Sequence, residues 1–316
     1  MRRFLITGGC GFIGSHLANY LIDAGHYVRV LDNLSTGKKE NVLPATDIIV
    51  GDICEEDTLA SAMKDMDGCF HLAAVASVKL AEEQWLYAHR TNQVGMLTVL
   101  KTINKKAKRE KKKSIPLVFA SSSAVYGPSS DVALCEKTVP QPANFYGIDK
   151  FSAELQAKAA FHNYGLASIG LRFFNIYGPR QNTNSLYSGV ISAFIGAIME
   201  DKAVTISGDG TQSRDFVYID DVVKSLIAAM DHVGGGHQIF NICTGIATNI
   251  AAIADKLEMI HGRPIVRRYA PLPVGDVHSS LGNPDLFKST VQNIDSTPFD
   301  QGLLFTYASL KTPVAP

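Results

Sequence analysis

Phe4-Leu5-Ile6-Thr7-Gly8-Gly9-Cys10-Gly11-Phe12-Ile13-Gly14 is a short apolar run that breaks into glycines and passes at once into a helical pattern, through Leu17, Leu21 and Ile22, that stops at Gly25. Glycines at a strand-to-helix turn let the backbone bend tightly and approach a pyrophosphate, whose charge sits at the helix N-terminus. Outward from this loop, apolar runs and helical patterns alternate. Val28-Arg29-Val30-Leu31-Asp32 is a second run ending in an acid, 47–52 reads as a third strand, 58–66 as a helix and 68–74 as a fourth strand. A helical pattern covers roughly 83–107, 115–120 is a strand, 146–164 a helix and 167–173 another strand. Such alternation predicts an α/β fold, a doubly wound parallel sheet with helices on both faces.

After Gly178-Pro179-Arg180 the texture changes to polar loops, one helix near 188–201 and short strand-like pieces. The spacing therefore divides the chain into a Rossmann-like dinucleotide domain over 1–180, joined by a returning strand near 238–242, and a smaller C-terminal substrate-binding lobe over 181–316, with a helix at 248–261. The tail after 284 gives no pattern that can be read.

The 316 residues are 46% hydrophobic and 19% charged, and thirty Lys+Arg balance thirty Asp+Glu. Zero net charge gives no global attraction to nucleic acid or an anionic membrane, and neither is expected as a partner. The basic run over 105–113 reads as a solvated helix end. A chain of this length buries a sufficient core without staples. The five cysteines, Cys10, Cys54, Cys69, Cys135 and Cys243, show no metal-ligand spacing, so no metal site is expected and the thiols read as reduced. No apolar stretch reaches the length of a membrane span, and Met1 to Gly8 meets glycine too soon for a signal peptide. The expected location is the cytoplasm.

Asp32 lies eighteen residues past Gly14, at the end of the second strand. A carboxylate there can accept both adenosine ribose hydroxyls and repels a 2′-phosphate, which favours NAD over NADP. Asp52, after the third strand, either meets the adenine edge or caps the next helix. Ala73-Ala74 place small side chains where a cofactor's close approach needs them. Ser121-Ser122-Ser123-Ala124-Val125-Tyr126-Gly127 follows a buried strand, and Tyr146-Gly147-Ile148-Asp149-Lys150 opens a helix. Tyr146 and Lys150, at i and i+4, share one helical face. A neighbouring ammonium favours phenolate and would lower the phenol from about 10 towards neutrality, giving a general acid or base. A serine hydroxyl from the strand end could hold the same substrate oxygen.

With Gly51-Asp52-Ile53, His71-Leu72-Ala73-Ala74, the segment Arg172-Phe173-Phe174-Asn175-Ile176-Tyr177-Gly178-Pro179-Arg180 and Gly208-Asp209-Gly210-Thr211-Gln212-Ser213-Arg214-Asp215-Phe216 following in order, the sequence resembles the extended short-chain dehydrogenase/reductase family, specifically its NAD-dependent nucleotide-sugar epimerases. The resemblance runs from residue 1 to about 280. It implies NAD held by Gly8, Gly11, Phe12, Ile13, Gly14, Asp32, Asn33, Asp52, Ile53, Leu72, Ala73, Ala74, Asn92, Tyr146, Lys150 and Phe173. It also implies Ser122, rather than Ser123, as catalytic serine beside Tyr146 and Lys150. The implied substrate contacts are Ser122, Ser123, Tyr146, Asn175, Arg214, Asp276 and Ser280, with Asn175 and Arg214 on the diphosphate.

Family members that dehydrate a sugar carry Asp-Glu after the active-site Ser or Thr; Ser123-Ala124 stands there instead, which points to a UDP-sugar 4-epimerase working through a 4-keto intermediate. The pocket-gating position, bulky in glucose-restricted epimerases, matches Ser280. The resemblance thus favours UDP-N-acetylglucosamine/UDP-N-acetylgalactosamine, with UDP-glucose/UDP-galactose beside them. Pro273 replaces the family's usual Arg, and Arg267 or Arg268 is the candidate substitute. The alternatives are a UDP-glucuronate 4-epimerase, a nucleotide-4-keto-sugar reductase and an NAD-binding scaffold. Intact Ser122, Tyr146 and Lys150 count against the scaffold. Relatives dimerise through two helices per subunit, here 83–107 and 147–163, so a homodimer is expected.

Overall fold

The computed structural model describes residues 1–111, 114–128, 132–182, 189–272 and 277–311. Six strands come first, β1 (Arg3–Thr7), β2 (Tyr27–Asp32), β3 (Asp47–Val50), β4 (Gly68–His71), β5 (Leu117–Ser122) and β6 (Ser168–Phe173). Three more follow, β7 (Asn175–Tyr177), β8 (Val204–Ser207) and β9 (Ser213–Tyr218), before β10 (His237–Ile242) returns to pair with β6. The resulting seven-stranded sheet is parallel throughout, in the order β10-β6-β5-β4-β1-β2-β3. Strand order reverses between β1 and β4, so the connections there leave in opposite directions and a crevice opens at the carboxyl ends.

The linking helices are α1 (Phe12–Asp23), α2 (Glu56–Ala62), α3 (Val78–Glu83), α4 (Trp85–His89), α5 (Gly95–Arg109), α6 (Phe145–Tyr164), α7 (Val190–Met199) and α8 (Ile219–His232). Alternate residues of β1 explain why both faces are covered. Phe4 and Ile6 join one core with Leu17 and Leu21 of α1 and Val222 and Leu226 of α8. Leu5 joins the other with Leu59 of α2, Val99 and Ile103 of α5 and Ala157 of α6. A strand apolar on both faces belongs inside a parallel sheet, and the doubly wound α/β fold expected from the sequence is the one observed.

Two expectations are corrected. The helix over 83–107 is broken: α3 and α4 precede a π turn, Arg90–Val94, and only then does α5 begin. The unreadable tail forms α10 (Asp285–Thr290) and α11 (Phe299–Lys311), after α9 (Ile250–His261). The Phe299 ring lies 5.4 Å from that of Tyr177 and 5.7 Å from that of Phe216, so α11 closes the aromatic core of the small lobe. Pro298, Gly302 and the exposed Leu304 and Phe305 hide this helix from a periodicity reading. In the lobe β9 pairs with β7, with β11 (Ala247–Asn249) and with β13 (Ser279–Ser280), while β12 (Arg267–Ala270) pairs with β8. Among the described residues no helix is long and apolar enough to cross a membrane.

Candidate active site

Because the large sheet is parallel, Thr7, Asp32, His71, Ser122 and Phe173 all end their strands on the same edge. Gly8 has φ +70°, and a Cβ there would stand 2.7 Å from the Ala73 backbone; one on Gly14 would stand 2.2 Å from the Gly8 carbonyl oxygen. The loop, the first turn of α1 and the segment after β4 thus touch backbone to backbone, and only glycine satisfies that packing. Gly11 starts α1 with no capping side chain, and no acid stands in its first turn. The amides and partial positive charge of that terminus, at Phe12 and Ile13, are left for an anion.

Asp32 is buried; its Oδ2 accepts from the Cys10 amide (2.9 Å) and its Oδ1 from the Leu34 amide (2.8 Å). Each oxygen retains a lone pair for a hydroxyl. Exposed Asn33 follows, its Oδ1 accepting from the Ser35 amide (3.1 Å). A glycine cradle, a bare helix N-terminus and an acid on the adjacent strand fit a dinucleotide.

Asp52 accepts from the Cys54 amide (2.9 Å) and from Arg90 Nη1 (2.8 Å). Burial works to raise its pKa, but these partners outweigh it and hold the carboxyl below its ordinary range. It does not cap α2, which starts from Glu55. Next to it Ile53 is buried. The π turn bulges Asn92 inward, where its Oδ1 accepts from the Val75 amide (2.9 Å) and its Nδ2 donates to the Val75 carbonyl (3.3 Å) and Asp149 Oδ2 (3.4 Å). Asn92 therefore pins the end of the Leu72-Ala73-Ala74 segment that lies beside Gly8.

Asn144 starts α6, its Oδ1 accepting from the Gly147 amide (2.8 Å), and fixes the turn on which Tyr146 stands. Ser122 is the side chain that acts on the Tyr146 hydroxyl, favouring its phenolate. Ser122 Oγ also accepts from the Ala124 amide (3.1 Å), and half-buried Ser123 begins the 3-10 turn Ser123–Tyr126. Lys150 Nζ donates to the Ala120 carbonyl (3.0 Å) and lies 5.7 Å from the Tyr146 ring centroid.

The electrostatics differ from expectation. Burial pushes the Tyr146 phenol above its ordinary value, opposed by neighbouring Ser122. The ammonium expected to lower it is itself pushed down to about 8 by burial, with neighbouring Asp149 opposing. A cation held against a carbonyl beneath the ring does little for the phenolate oxygen. His71, 2.7 Å from the Thr7 hydroxyl, is pushed down to about 3 by burial and then by Lys150, so it is neutral.

Further out, Asn175 Nδ2 donates to the Asp215 carbonyl (3.1 Å), and Arg214 Nη1 donates to the carbonyls of Ser213 (2.8 Å) and His278 (3.3 Å). Ser280 stands opposite Arg214 in the β13–β9 register and is buried. Asp276 and Pro273 lie outside the described residues. Arg267 is bound to Asp255 and Glu258, which commits it to α9; Arg268 stands beside it on β12.

The profile of the NAD dependent epimerase/dehydratase family matches residues 4–243. The chain belongs to this family. Within it the chain is 36% identical over 253 residues to a putative UDP-glucose 4-epimerase of Methanocaldococcus jannaschii, covering 79% of this chain and 80% of the relative. Among solved structures it is similar to the UDP-N-acetylglucosamine 4-epimerase from Methanobrevibacter ruminantium M1 in complex with UDP-N-acetylmuramic acid (TM-score 0.91, 33% identity, 98% of both chains). It is equally similar to the UDP-glucose 4-epimerase of Thermotoga maritima with UDP-glucose (TM-score 0.92, 33% identity, 98% of both chains).

Four buried residues around the candidate site escaped the sequence reading. Asp149, Glu154, Arg172 and Asp215 are buried and hydrogen-bonded, yet acids on a helix and charges near strand ends look solvated in sequence. Asp215 accepts from the amides of Thr244 (2.8 Å), Gly245 (2.9 Å) and Gly282 (3.3 Å), fastening β9 to the loops around it. The one available signal was that Glu154 continues the four-residue spacing of Tyr146 and Lys150.

Proposed function

We propose that the chain interconverts UDP-sugars epimeric at C4. The observation that carries this reading is the Tyr146–Ser122 pair, with Lys150 beneath it, on the sheet edge that also bears the glycine cradle. Gly8, Gly11, Gly14 and Asp32 would hold NAD, with Asn33, Asp52, Ile53, Leu72, Ala73, Ala74, Asn92 and Phe173 around it, and Lys150 would hold the nicotinamide ribose. Bound NAD supplies the hydride acceptor, and then the hydride donor, for C4 of the sugar. Burial holds the Tyr146 phenol above its ordinary value, so it must first be ionised; as the phenolate it would take the proton of the 4-hydroxyl and later return it, while Ser122 holds the same oxygen. The flat 4-keto sugar turns over between the two transfers, so no outside reductant is consumed. Asn175 and Arg214 would grip the diphosphate.

Ser280 is small and buried, and at the family's gating position it would leave room for a 2-acetamido group, which supports UDP-N-acetylglucosamine/UDP-N-acetylgalactosamine as the pair, with UDP-glucose/UDP-galactose also admitted. Residues 181–316 form most of the sugar-nucleotide side and 1–180 the NAD side. We further propose a homodimer: Trp85, Leu97, Ile148 and Leu155, on α4, α5 and α6, are each about half exposed and suit a second copy. The five free cysteines suit the cytoplasm.

Proton NMR of the protein with UDP-N-acetylglucosamine and, separately, UDP-glucose, without added cofactor, tests the function. The galacto C4 signal should grow with the acetamido sugar and be lost in Tyr146→Phe. Conversion of glucose alone would reject the role of Ser280. No conversion even with NAD supplied would favour the glucuronate or reductase alternatives.

A further inference from the structure

Three consecutive residues of β5 are tied to α6, at positions spaced one turn apart along the helix. Ser122 neighbours the Tyr146 hydroxyl, Ala120 accepts from Lys150 Nζ (3.0 Å), and Ser121 Oγ donates to Glu154 Oε1 (2.5 Å). Tyr146, Lys150 and Glu154 are each four residues apart and stack along one face. Glu154 is only 4% exposed, and the rest of its hydrogen bonding goes to Arg172 of β6. Arg172 Nε donates to Oε1 (2.8 Å) and Nη2 to Oε2 (2.7 Å), a two-pronged pair buried on both sides. Arg172 stands opposite Ser121 in the β5–β6 register. Its guanidinium carbon lies 4.8 Å from the ring centroid of Tyr126, at the end of the turn that follows Ser122. Tyr126 in turn donates to Asn241 Oδ1 of β10 (2.7 Å). One guanidinium thus touches both elements that meet at the site, the helix bearing Tyr146 and Lys150 and the turn adjoining Ser122.

We infer that Glu154 and Arg172 are positioning residues, which fix the rotation and height of α6 against β5 so that Tyr146 meets Ser122. The inference rests on the reading of Tyr146 and Ser122 as the proton-handling pair. Burying two charges is costly, and such pairs can often be exchanged for apolar residues without loss of stability. What the planar fork supplies is geometry: it accepts a carboxylate in one orientation, and a small slide of α6 would break it.

Glu154→Gln and the double variant Glu154→Gln/Arg172→Gln test this, the second leaving no buried charge stranded. Absorbance titration of each protein, less the same protein carrying Tyr146→Phe, isolates the Tyr146 phenolate. Charge alone would lower its pKa in Glu154→Gln, since a carboxylate goes and a cation stays. Moving Tyr146 away from Ser122 raises it. The expected result is a rise of about half a unit or more in both variants, kcat down roughly tenfold or more and KM within about twofold of the parent. A lowered or unchanged pKa in a variant that unfolds cooperatively overturns the inference, whatever its kcat. If Glu154→Gln does not fold, the double variant decides. If neither folds, Ser121→Ala decides, because it removes one rung and keeps the ion pair; an unmoved Tyr146 titration there also overturns the inference. The titration needs no sugar, so a parent without C4 interconversion would sink the proposed function and leave this test standing.

Discussion

Replacing Lys150 by Met should stabilise the nucleotide-free protein at neutral pH, and the gain should reverse sign in alkali. Lys150 is 7% exposed, and burial pushes its ammonium down to about 8 from the ordinary 10.5. That gap corresponds to about 3 kcal/mol against the charged form in the folded state. Below pH 8 the folded and unfolded chains both carry the proton and the whole penalty falls on the fold. Between 8 and 10.5 the unfolded chain binds more protons than the folded one, so stability rises with pH; above that range the penalty is gone. Methionine follows the side chain out to Cε but has no Nζ, so it loses the hydrogen bond to the Ala120 carbonyl, a loss of about 1 kcal/mol. Lys150→Met should therefore be about 2 kcal/mol more stable than the parent at pH 7 and about 1 kcal/mol less stable near pH 10.5. Urea unfolding followed by circular dichroism at the two pH values, with nucleotide removed, measures both differences. A stability difference that is the same at both would refute the reasoning.

Gly14→Ala, whose Cβ would stand 2.2 Å from the Gly8 carbonyl oxygen, should cost about 2 kcal/mol or more and deplete bound NAD. Nucleotide released by acid and counted by chromatography would contradict this if it matched the parent. Asp32→Ala should weaken NAD roughly tenfold and narrow its advantage over NADP, as calorimetric titration would show; an undiminished preference would remove Asp32 from the ribose. Ser280→Tyr should lose conversion of the acetamido sugar more than about tenfold while keeping that of UDP-glucose. Equal effects on both sugars would show that residue 280 is not the gate.

The seven-stranded sheet was legible because its signals are local. Phe4, Leu5 and Ile6 form an unbroken apolar run, and a strand buried on both faces leaves no alternation to confuse with a surface strand. The glycine loop was legible for the same reason, since Gly8 and Gly14 answer a backbone constraint within a single turn. What stayed hidden depends on distant partners. Glu154 becomes a buried ligand of Arg172 only once β6 lies beside β5, and Asn92 turns inward through a single π turn that leaves no composition signal. Tyr146 misled because the pairing with Lys150 was visible, while the burial that outweighs it was not. The tail failed by cancellation, since Leu304 and Phe305 on the outer side of α11 blur the face made by Phe299, Leu303 and Tyr307.

The return of β10 binds the two parts of the chain together in time as well as in space. Every residue of β6 is buried, yet one of its edges stays bare until β10 has been synthesised, after residues 174–236 have left the ribosome. A fragment ending at 180 would hold Gly8, Ser122, Tyr146 and Lys150 and still expose a naked, apolar strand edge, the kind of surface that templates aggregation. The Tyr126–Asn241 hydrogen bond would be missing from it too. The nucleotide-holding part cannot therefore mature first and wait for the rest, and a gene cut at the apparent boundary should yield insoluble chains instead of half an enzyme.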